Sequence, residues 1–132
     1  MPKFGWKAIY EDGVIRQYPF GLPETNFKEV VDKGMPTKFF VGRVYGVNLV
    51  TGELLINGKW VSVGDMDAVR FKPTKLVYFR RNFATVNAEL KESSRKIFHF
   101  VGYQYEINGS LGQVRLCIPD NKQEQPTICI GL

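Results

Sequence analysis

The segment from Ile97 to Ile118 constrains the fold more than any other part of the chain: two runs of alternating character meet at Asn108-Gly109. Asn-Gly accepts positive φ at both central positions of a type I′ turn, and the twist of that turn matches the strands it joins. A two-residue loop also sets the register. Ile107 then faces Ser110, Tyr105 faces Gly112, Tyr103 faces Val114, Val101 faces Leu116 and His99 faces Ile118. Successive side chains of a strand alternate between faces, so these pairs share one largely apolar surface. Gln104 with Gln113 and Gly102 with Arg115 mark the other. The chain therefore predicts a long antiparallel hairpin, and no motif in it signals chemistry as firmly.

Turn signals of the same kind divide the rest of the chain. Phe4 to Tyr10 reads as a strand closed by Glu11-Asp12-Gly13 and returned by Val14 to Tyr18. A second Asn-Gly pair, Asn57-Gly58, predicts a hairpin with Leu55 across from Trp60 and Leu54 across from Val61. Phe39 to Val50 is strand-rich, and Gly42 and Gly46 within it predict bulging or strong curvature. Strands are also expected at Ala68 to Lys72, Lys75 to Arg81 and Thr127 to Ile130. Pro73 must lie at an edge or a turn, because it has no amide to give a ladder. Asn82 to Arg95 reads either as a loop or, from Ala88, as a short helix. The better helix signal is at Asn26, which can cap a helix with Glu29 three residues on, Phe27, Val30 and Val31 forming one stripe, and Gly34 and Pro36 stopping it. A chain of 132 residues supports one hydrophobic core. The expectation is a single domain, 1–132, mainly β: a curved antiparallel sheet or small barrel-like sandwich with one short helix.

The formal charge of +5 permits attraction to nucleic acid or to acidic proteins. The densest cationic segment runs from Arg70 to Arg81, and its candidate binding residues are Arg70, Lys72, Lys75, Tyr78, Arg80 and Arg81. Lys and Arg neutralise phosphates while an aromatic ring offers a stacking surface. Strand alternation divides the set, since Arg80 and Arg81 point to opposite faces. Simple solvation or intramolecular pairing is the bland reading of this segment; of the two binding readings, contact with an acidic protein surface is preferred to contact with nucleic acid.

No catalytic residue, cofactor or metal is expected. His99 lies between Phe98 and Phe100 on the apolar face of the hairpin, which reads as a core or interface histidine without the partners a general base needs. Asp65-Met66-Asp67 lacks the further ligands of a calcium loop. Cys117, between Leu116 and Ile118, and Cys129, between Ile128 and Ile130, are expected to be buried free thiols, a disulfide between their strands being the alternative. The N-terminal residues lack the apolar run of a signal peptide, and no segment approaches the roughly 18 apolar residues that span a bilayer. A soluble intracellular protein is the expectation.

Three pieces of the chain resemble a family of small uncharacterised bacteriophage proteins: Trp6-Lys7-Ala8-Ile9-Tyr10-Glu11-Asp12-Gly13, then Leu76-Val77-Tyr78-Phe79-Arg80-Arg81, then Phe100-Val101-Gly102-Tyr103-Gln104 with Asn108-Gly109. Members open with a W-x-x-x-Y-x-D-G strand and turn, carry a short helix, then an R-R strand, then a V-G-[WY]-Q hairpin, and end with a second Asp-Gly strand. This chain departs in its longer middle, Gly42 to Asp67, and in ending on Ile128-Cys129-Ile130. The resemblance implies a phage origin and transfers no activity. The resulting expectation is a non-enzymatic interaction protein, a structural or auxiliary virion component in the host cytoplasm or the particle. Its partners would be viral or host proteins, or further copies of itself, and no membrane. The alternative is a basic regulator that binds nucleic acid or inhibits a host defence or transcription protein.

Overall fold

The computed structural model of the chain describes residues 5–18, 34–63, 72–84, 95–107, 109–119 and 125–131. Among the described residues ten strands form two antiparallel sheets. β1 (Trp6–Ile9), β2 (Ile15–Tyr18), β3 (Lys38–Val41), β4 (Tyr45–Asn48), β5 (Leu54–Ile56) and β6 (Lys59–Val61) make a six-stranded sheet in the order β2-β1-β3-β4-β5-β6. β7 (Pro73–Ala84), β8 (Arg95–Ile107), β9 (Ser110–Pro119) and β10 (Thr127–Gly131) make a four-stranded sheet in the order β10-β9-β8-β7. The sheets pack face to face as a sandwich and do not close into a barrel.

Alternation explains which residues meet between them. Trp6, Ala8, Phe39, Val41, Val47 and Leu54 come from the first sheet, and Leu76, Tyr78, Val101, Tyr103, Tyr105, Val114, Leu116 and Ile118 from the second. Residues two apart share a face, so β1, β3, β7, β8 and β9 each turn alternate positions into one core. Phe39 is the central contact: its ring stacks on Trp6 at 5.5 Å and meets Tyr78 of the opposite sheet at 5.2 Å. Tyr103 adds a polar link, its hydroxyl donating to the Gly52 carbonyl at 2.9 Å.

The long hairpin has the register its turn dictates, from Ile107↔Ser110 through Tyr103↔Val114 to His99↔Ile118. Gly109 sits at φ 81°, while Asn108 lies outside the described residues. The Asn57-Gly58 turn has φ 50° and 82°, and it sets Leu55↔Trp60 and Leu54↔Val61 as expected. The first hairpin uses a three-residue loop: Gly13 at φ 87° donates its amide to the Tyr10 carbonyl, and the Tyr10 amide bonds to Val14. That is a turn closed by a glycine bulge, the form a three-residue connection favours. Pro73 opens the edge strand β7, where the register shifts before Lys75.

Of the two glycines expected to bend residues 39–50, Gly42 turns the chain at φ 68° and Gly46 stays inside β4. A Cβ at Gly46 would come within 2.7 Å of the Phe39 carbonyl oxygen, so glycine there admits a close backbone approach. The expected helix at Asn26 to Val31, the Asp65-Met66-Asp67 loop, the strand portion Ala68 to Phe71 and the 85–94 segment lie outside the described residues.

Candidate interaction surface

One face of the four-stranded sheet forms the core; the other carries the side chains with which the chain can meet a partner. Lys75, Val77 and Phe79 of β7, Phe98, Phe100, Gln104 and Glu106 of β8, and Gln113, Arg115 and Cys117 of β9 all fall on this outer face by alternation and register. Val77, Phe79, Phe98, Phe100, Arg115 and Cys117 are half-buried, and Lys75 and Glu106 are exposed.

Pairing brings the aromatic residues together. Phe79 is opposite Phe100, and their rings stack at 4.7 Å with 16° between planes. The Arg115 guanidinium lies 5.7 Å from the Phe79 centroid and 5.8 Å from that of Phe100, within cation–π range. Beyond Arg115 a groove of about 410 Å³ is lined by Gln104, Gln113, Arg115 and Cys129 among others.

The structure separates the sequence-predicted binding residues. Lys72 and Lys75 are exposed, Lys72 just before β7 and Lys75 as its third residue. Arg80 and Arg81 occupy the register positions opposite His99 and Phe98. Arg70 lies outside the described residues. Tyr78 does not share a face with Lys75: it is buried at 6% exposure among core residues, and its hydroxyl is 3.3 Å from Nδ1 of His99. Alternation within β7 forces this, because Leu76 and Tyr78 together supply the core face.

His99 is buried at 5% exposure, as a core histidine should be, with its ring roughly parallel to that of Tyr78. The cysteine expectation needs correction in half. No disulfide joins the two cysteines; Cys117 is half-buried and Cys129 is exposed. Its apolar neighbours Ile128 and Ile130 suggested burial, but β10 is the sheet edge and every residue of it is exposed.

Phe100, Arg115, Gln104 and Gln113 were not among the sequence-predicted binding residues. The hairpin register already placed the last three on the non-core face; what the sequence lacked was the pairing of β7 with β8, which brings Phe79 to Phe100. Among the described residues no group of three or more His, Cys, Asp or Glu side chains is placed to hold a metal ion, and no helix is long and apolar enough to cross a membrane. No family model, curated protein or solved structure matches the chain.

Proposed function

We propose that this chain is a non-enzymatic interaction protein, a phage-encoded structural or auxiliary component of the virion, and that it binds an acidic protein surface through the outer face of its four-stranded sheet. The observation that carries the reading is the Phe79, Phe100 and Arg115 cluster on an open sheet face. Half-buried aromatic rings capped by an arginine are the residue types that anchor protein interfaces. Lys75 at the rim and a chain charge of +5 favour an acidic partner.

The geometry weighs against nucleic acid as the principal ligand. A base stacks on the flat face of an aromatic ring. Phe79 and Phe100 already stack on each other and Arg115 lies over both rings, so the ring faces a base would need are partly taken.

The test is direct. The chain should be found in particles purified from infected cells, and Arg115→Glu with Lys75→Glu should remove it from them while the isolated variant keeps its melting temperature. Retention of that double variant in the particle would overturn the assignment of the surface, and absence of the chain from particles would overturn the virion reading. Submicromolar binding to DNA or RNA that falls steeply with salt would replace both with the regulator reading.

A further inference from the structure

We infer that β10 is a self-complementary docking edge through which two copies of this chain pair antiparallel, joining their four-stranded sheets into one continuous sheet. The inference is independent of what the outer face binds.

β10 is the last strand of its sheet, and all five of its residues are exposed. Free strand edges are normally blunted by charge, proline or a bulge, since their open amides and carbonyls are a template for another strand. Thr127-Ile128-Cys129-Ile130-Gly131 has none of these, and its pairing with β9 runs without a register break. Ile128 is 38% exposed and Ile130 53%. Both lie on the core side of the sheet, level with Leu116 and Val114, so two open isoleucines continue the core past its edge.

The hydrogen-bonding direction follows from the hairpin. In a two-residue turn the flanking residues, Ile107 and Ser110, exchange both their backbone bonds. Counting along β9, Val114 and Leu116 then face β8, whereas Gln113, Arg115 and Cys117 face β10. Their partners Gly131, Cys129 and Thr127 use their backbone groups on β9. The outward-facing backbone groups of β10 are those of Ile128 and Ile130. An antiparallel two-fold centred on Cys129 places Ile128 opposite Ile130 of the second copy, and the reverse, so both outward residues find bonds. A two-fold centred on Ile128 would instead oppose Ile130 to Pro126, which has no amide.

Charge permits a second copy at this edge. β10 itself has no charged residue, and the nearest cation in register is Arg115, one strand in. Across the two-fold the Arg115 residues would be three strand spacings apart, roughly 14 Å, which exceeds the Debye length of about 8 Å at physiological salt. The contact is small. Two five-residue strands bury much less than the ~800 Å² per partner of a standard interface, so the dimer forms at micromolar to millimolar concentration and dissociates on dilution.

Sedimentation equilibrium over a concentration series tests this on the intact chain. The mass should rise from one chain toward two, and Ile130→Pro should hold it at one. That substitution removes an outward amide and leaves the bonds of Cys129 and Gly131 to β9. Should Ile130→Pro not fold, Ile130→Lys serves instead, placing like charges across the axis. Amide exchange gives a second reading: protection of Ile128 and Ile130 should grow with concentration, while that of Cys129 should not. A single-chain mass at every concentration, or a dimer that survives Ile130→Pro or Ile130→Lys, would overturn the inference.

Discussion

The hydroxyl of Tyr103, on the second sheet, donates a 2.9 Å hydrogen bond to the carbonyl of Gly52, in the connection between β4 and β5 of the first. Tyr103 is fully buried and its phenol is pushed up to about 12, by burial first and by the neighbouring Tyr105 second.

Tyr103→Phe should therefore destabilise the fold by about 1–3 kcal/mol, because the buried Gly52 carbonyl loses its donor. Chemical denaturation at neutral pH measures this. The sign of the alkaline effect follows from the raised value: the folded state holds the phenolic proton more tightly than the unfolded chain, so the contribution is complete below pH 10. It should fall between pH 10 and 12 by about 1.4 kcal/mol per pH unit. Comparing the two proteins across that range isolates the contribution of Tyr103, and equal pH slopes would refute it.

Two glycines of the hairpin should resist substitution for different reasons. A Cβ at Gly102 would overlap the backbone carbonyl of Val114, and one at Gly112 would overlap the Tyr105 ring. Overpacking of this kind costs about 1–3 kcal/mol. Gly102→Ala should be the worse of the two, since backbone yields less readily than a side chain. Gly131→Ala, where a Cβ meets nothing within 4 Å, is the control and should leave the melting temperature unchanged.

The two thiols should label at different rates. Cys129 should react promptly with a thiol reagent in the native protein, and Cys117 more slowly, with the difference abolished in denaturant. Mass spectrometry of the labelled peptides distinguishes them. Equal native rates would contradict their different exposures.

Much of the sandwich was legible where a turn pair sits between alternating runs. Asn108-Gly109 and Asn57-Gly58 gave the register of two hairpins residue by residue, because a short loop leaves the strands little freedom to slip. What stayed hidden was which strands lie beside one another over longer separations, such as β1 with β3 or β7 with β8. Tyr78 shows the consequence. Its cationic neighbours made it look like part of a binding surface, but which face of β7 turns inward is decided by the sheet that packs on it. Cys129 was misjudged for a related reason, since apolar neighbours imply burial only when something lies over them.

Each sheet is drawn from its own stretch of chain, residues 6–61 for one and 73–131 for the other. Most of the pairings inside a sheet are thus local and cheap in loop-closure entropy, while contacts such as Phe39 with Tyr78 and Tyr103 with Gly52 span long separations. Hairpins can form early, but neither half covers its apolar face until the other arrives. Cooperativity in this protein consequently resides in the meeting of the halves. Strengthening a turn should speed folding, whereas strengthening the seam should mainly slow unfolding and lengthen the lifetime of the folded chain.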